Sequence, residues 1–198
     1  MSCGICDSLL LPEALPFSAS MDHPVWHELY LREIQLALAR WPLIRLIEVA
    51  LRNKISLELE SRFGEDFFLG QPKELFSGEQ FRLREAQRAC KTLSRSEVVR
   101  NLPMGFWMLL LSKKYESTLW APALRHCFSG WAGRPRRLVH EEFTSIWVLR
   151  NHIAHHEPIA HLGALPDDQK LTRALLLLEP GFQPFVQALQ PVESQHEQ

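Results

Sequence analysis

Leu149-Arg150-Asn151-His152-Ile153-Ala154-His155-His156-Glu157-Pro158 closes a segment whose apolar residues fall at helical spacing. Val139, Phe143, Ile146, Arg150 and Ile153 follow one another at steps of four, three, four and three, so residues 134–156 are predicted as one amphipathic helix. Arg150 therefore sits inside an apolar stripe, where a charge is costly unless a carboxylate meets it. Glu48 is the candidate partner, because it stands on a strongly apolar helical segment among Leu43, Ile44, Leu46, Ile47, Ala50 and Leu51. An intrahelical pair of Glu48 with Arg45 or Arg52 is the competing expectation.

Outward from that segment the chain reads as all helix. Val25, Leu29, Leu31, Ile34 and Leu38 recur at helical spacing over 24–40, with Asp22 as N-cap. Trp41-Pro42 is expected to restart the pattern as a second helix reaching Phe63, where Gly64 supplies the stop. A polar link over 64–78 leads to a locally basic helix or helix pair over 79–100, which suits either phosphate or a solvated face of Glu–Arg pairs. Residues 103–111, with Phe106, Trp107 and three consecutive leucines, are expected in the core. Helices over 120–128, 134–156, 167–178 and 182–189 complete an all-α bundle, with no β alternation. The expected organisation is an irregular leader (1–21), a single helical domain (22–190) and a frayed tail (191–198).

Composition narrows the class. With 46% hydrophobic and 23% charged residues, the 198-residue chain is globular rather than disordered. No apolar run reaches the roughly 18–20 residues of a membrane span, so no membrane partner and a cytoplasmic location are expected. Net charge of −1 gives no global attraction to nucleic acid, although a local patch can still provide it. Cys3 and Cys6 form one CxxC without a second, which suits a tail with two reduced thiols better than a zinc site.

The quoted stretch holds the side chains of a metal-free phosphodiester-cleaving site. Histidine moves protons near neutral pH, and arginine offers a planar fork of donors to phosphate oxygens. Five steps separate Arg150 from His155, about 140° around an ideal helix. Either the long arginine reaches around the helix end, or two copies of the helix meet across a two-fold axis. Asn151 with His155, and His152 with both His155 and His156, are neighbours on an ideal helix. His152 and His156 either support His155 and contact RNA, or simply occupy a helix end that favours such side chains. Three histidines and Glu157 have helical ligand spacing, but no HExxH-type pattern is present, so neither metal nor cofactor is expected. Arg134, Arg136 and Arg137 at the start of this helix are candidate RNA-backbone contacts, with a solvated charge run as the alternative. The Arg-x-x-x-x-His spacing is weak by itself, since 16 arginines and nine histidines in this chain give roughly 0.7 chance occurrences.

In context the stretch resembles the signature of Abi-like (abortive infection) proteins, a branch of the HEPN superfamily: arginine, a polar residue, three variable residues and histidine. Ile47-Glu48-Val49-Ala50-Leu51-Arg52-Asn53-Lys54-Ile55, and Met104-Gly105-Phe106-Trp107 followed by Trp120, resemble the same family, so the likeness spans residues 22–162. The resemblance implies a HEPN-like helical bundle that dimerises through the motif helix. It also implies a metal-independent endoribonuclease, in which the 2′-hydroxyl attacks its own phosphate and leaves a cyclic phosphate and a 5′-hydroxyl end. Arg150 and His155 would be the catalytic pair, with Asn151 the polar residue beside the arginine. Implied partners are an RNA substrate, a second copy of the chain, and an antitoxin or regulatory protein. A non-catalytic HEPN binding module is the alternative.

Overall fold

The first helix, α1 (Pro24–Phe63), runs forty residues straight through Pro42, so the expected restart at Trp41-Pro42 does not occur. Pro42 has no N–H to offer the Leu38 carbonyl, a loss worth about 3 kcal/mol in a helix interior. Burial of Leu43, Ile44, Ile47, Leu51, Ile55 and Leu59 directly after it holds the helix together. Gly64 ends α1 at φ 110°, a left-handed backbone that glycine adopts without a steric penalty. This computed structural model describes residues 24–131, 135–160 and 166–189.

The basic stretch resolves into α2 (Ser77–Arg88) and α3 (Arg95–Asn101), the latter capped by Ser94, whose hydroxyl accepts from the Glu97 N–H. Next comes α4 (Met104–Leu110), whose Phe106, Trp107 and Leu110 are buried as expected. Residues 120–128 do not make the expected regular helix. A π turn at Glu116–Trp120 and a 3-10 segment at Leu124–Trp131, broken at Phe128, take its place around Pro122, which lacks a donor.

The motif helix, α5 (Arg136–Ala154), packs against α1 and α4. The chain then forms α6 (Asp168–Leu178), with Asp167 accepting the Lys170 N–H, and α7 (Gln183–Leu189). One hydrophobic cluster draws side chains from all these helices, with α6 laid along α1. Among the described residues there is no strand, and no helix is long and apolar enough to cross a membrane. Cys3, Cys6, Asp22 and Arg134 lie outside the described residues, as do the expected leader and tail.

Candidate functional site

Helix α5 stops two residues earlier than its periodicity suggested, and this rearranges the polar residues at its end. His155 is the C-cap (φ −96°, ψ 7°), with its N–H still bonded to the Asn151 carbonyl at 2.9 Å. It keeps its helical position, about 140° around from Arg150. His156 leaves the helix at φ 59°, so it does not stack one turn above His152 as an unbroken helix would have it. The His156 N–H reaches the Ile153 carbonyl at 3.2 Å and the Glu157 N–H reaches the His152 carbonyl at 2.8 Å. These two bonds define a Schellman ending, with histidine where glycine is usual.

Such an ending is normally closed by an apolar contact between the residues flanking it. Here His152 Nδ1 and Glu157 Oε2 take that place, 2.6 Å apart. The carboxylate stands off the ring N–H axis, leaving the buried Nδ1 without an aligned hydrogen bond, so the contact is a charge pair when the imidazole is protonated. Glu33 on α1 then fixes the chain beyond Pro158. Its carboxylate accepts the Ile159 N–H at 2.8 Å and the Ala160 N–H at 3.0 Å.

Arg150 is half-buried and directs its Nε to Glu48 Oε2 at 3.4 Å, so the interhelical pair forms in preference to one with Arg45 or Arg52. Glu48 and Glu33 are fifteen residues apart on α1, about 22 Å along its axis. Between them they hold the motif at both ends, with residues 150–159 running antiparallel to α1. Asn151 is half-buried, while His155 and His156 are exposed.

Of the arginines ahead of the motif, Arg136 and Arg137 lie among the described residues and differ in exposure. Arg136 is buried: its Nη1 donates to the Leu111 carbonyl at the end of α4 at 2.7 Å, and its Nε lies 3.6 Å from Glu116. Its guanidinium satisfies a helix terminus and is turned away from solvent. Arg137 is exposed and pairs with Glu141 at 2.7 Å.

Three carboxylates take roles that the sequence did not assign to them. Glu33 and Glu157 hold the motif turn. Glu79, at the start of the basic stretch read in sequence as either a phosphate-binding or a solvated face, is buried and accepts from Tyr115 Oη at 2.6 Å and Lys114 Nζ at 2.8 Å. Only Glu157 carried a legible signal, since a polar residue immediately before proline and five after His152 fits a helix stop. Glu33 and Glu79 meet partners more than thirty positions away, with no local pattern to announce them.

The arrangement offers a fixed guanidinium and an exposed imidazole at one helix end, an anion-binding group beside a proton-transfer group. Among the described residues, no three His, Cys, Asp or Glu side chains are grouped as metal ligands would be. Comparison with protein-family models, curated proteins and solved structures finds no match to this chain.

Proposed function

We propose that this chain is a metal-independent endoribonuclease of the HEPN type, serving phage defence as a toxin or abortive-infection effector. The observation that carries the reading is the placement of Arg150, held against Glu48, with the exposed His155 at the C-cap of the same helix. His155 moves the proton to or from the 2′-oxygen or the leaving oxygen, and Arg150 stabilises the charge that builds on the phosphorane-like transition state. Asn151 supports the pair from the position beside the arginine, and Glu48 orients the guanidinium.

The active unit in this proposal is a dimer. Tyr30, Leu31, Ile34 and Leu38 leave an exposed apolar face on the first half of α1. Tyr30 stands eighteen residues before Glu48, about five whole turns, so this face is in line with the carboxylate that holds Arg150. A second copy meeting it across a two-fold axis brings the two motifs towards one cleft.

The test is cleavage of total RNA by purified protein in EDTA, beside Arg150→Ala and His155→Ala, with end-group analysis. Cyclic-phosphate and 5′-hydroxyl ends from wild type, with activity lowered roughly 10²–10⁴-fold in His155→Ala, are expected. Equal cleavage by all three proteins excludes the assignment. Absence of cleavage by any favours the non-catalytic binding module. Leu31→Glu with Leu38→Glu is expected to leave a monomer in sedimentation and to abolish cleavage.

A further inference from the structure

His156 occupies a left-handed conformation that a residue with a Cβ adopts at a cost, so something around it must hold the turn closed. Two contacts can do so. Glu33 fixes the backbone at Ile159 and Ala160, downstream of the turn, while the His152–Glu157 contact spans the turn itself. His155 lies in sequence between the two residues of that contact, and among the described residues no side-chain hydrogen bond holds its exposed ring.

We propose that Glu157 is a positioning residue, whose carboxylate latches onto His152 and so closes the turn that presents His155 at a fixed place relative to Arg150. This inference rests on the ribonuclease reading for its effect on catalysis, but the latch is a property of the turn alone. An apolar closing contact would hold the same turn equally well for stability. A contact through the carboxylate gives a turn that Glu157→Ala opens while the buried core stays intact, because Glu157 is exposed and lies outside the hydrophobic cluster.

The experiment uses the full chain and two readouts. Hydrogen exchange of the His156 and Glu157 amides, which bond to Ile153 and His152 in the closed turn, is expected to speed up about tenfold or more in Glu157→Ala. Adding His156→Gly, which removes the left-handed penalty, is expected to slow it again without restoring the carboxylate. Under the same changes kcat on RNA is expected to fall roughly 10–100-fold in Glu157→Ala with KM little changed, and to recover in the double variant. Unchanged exchange in Glu157→Ala overturns the latch, whether or not RNA is cut. Faster exchange with undiminished cleavage overturns the positioning role. A wild type that cuts no RNA overturns the ribonuclease reading instead, and the exchange result then decides the latch by itself.

Discussion

Arg150 Nε stands 3.4 Å from Glu48 Oε2, a contact that joins α5 to α1 across 102 positions of sequence. Both side chains are largely withdrawn from water, at 28% and 16% exposure, so the pair is neither a free surface bridge nor a fully desolvated one. The distance is long for a charge-assisted hydrogen bond, which places its worth at the low end of such contacts, about 1 kcal/mol.

Glu48→Gln tests what that contact does. The amide keeps the shape and loses the charge, so stability is expected to fall by only about 1 kcal/mol. RNA cleavage is expected to fall more, roughly 10–100-fold, because the guanidinium is left free to swing. Chemical denaturation and single-turnover cleavage on the same preparation separate the two effects. Wild-type values in both would mean that Glu48 does not orient Arg150.

The outcome at Arg136 and Arg137 should split along burial. Arg136→Met leaves the Leu111 carbonyl without its donor inside the protein, so a loss of about 2 kcal/mol is expected. Arg137→Ala removes an exposed i,i+4 pair with Glu141 and is expected to change stability by less than about 0.5 kcal/mol. Denaturant midpoints of the two variants measure this directly. Equal midpoints would mean that the Arg136 guanidinium does not hold the end of α4.

Much of this architecture was legible because periodicity reports which face of a helix is apolar. The buried α4 was legible from its apolar run and the stop at Gly64 from the left-handed backbone glycine allows, whereas the carboxylate requirement of Arg150 follows from that rule. It failed where tertiary packing outweighs a local preference. Pro42 should break a helix, yet the apolar side chains that follow carry α1 through it. Leu31, Ile34 and Leu38 have helical spacing, yet their face is exposed, since periodicity identifies a stripe without saying what covers it. At the candidate site, the partner of Arg150 was readable, whereas the early end of α5 was not. His156 in a left-handed conformation is a rare choice, and propensity weighs against it.

Gly130 lets the 3-10 segment approach the backbone of α6 at Leu177 closely. An added methyl would sit 2.9 Å from Leu177 Cδ2, 3.0 Å from its Cα and 3.1 Å from its carbonyl oxygen. Two of those atoms are backbone, so the segment must lift away from α6, and Gly130→Ala is expected to cost about 1–3 kcal/mol. Gly78→Ala is the control, since nothing lies within 4 Å of a Cβ there and alanine suits α2 better than glycine. Thermal unfolding should move in opposite directions for the two. A lower midpoint for Gly78→Ala, or an unchanged one for Gly130→Ala, would contradict the packing described.

Acid should weaken the fold through two groups in separate pH ranges. Burial, with Arg136 nearby, holds His140 below the ordinary value of 6.5. For Glu79, burial alone would raise the pKa, but the bonds from Lys114 and Tyr115 bring it below the ordinary value of 4.5. In both cases the unfolded chain binds more protons than the folded one across the window between the two values, so stability rises with pH there. The His140 contribution is present above about 6.5 and is lost as pH falls below it; the Glu79 contribution persists to about 4.5 and is lost in stronger acid. Urea midpoints at pH 7.5, 5.5 and 3.5 are expected to fall in two steps. His140→Gln should flatten the first step. Glu79→Gln should start less stable at pH 7.5, having lost the Lys114 and Tyr115 contacts, and should lose less between pH 5.5 and 3.5. An acid step that survives Glu79→Gln at full size would show that other carboxylates carry it.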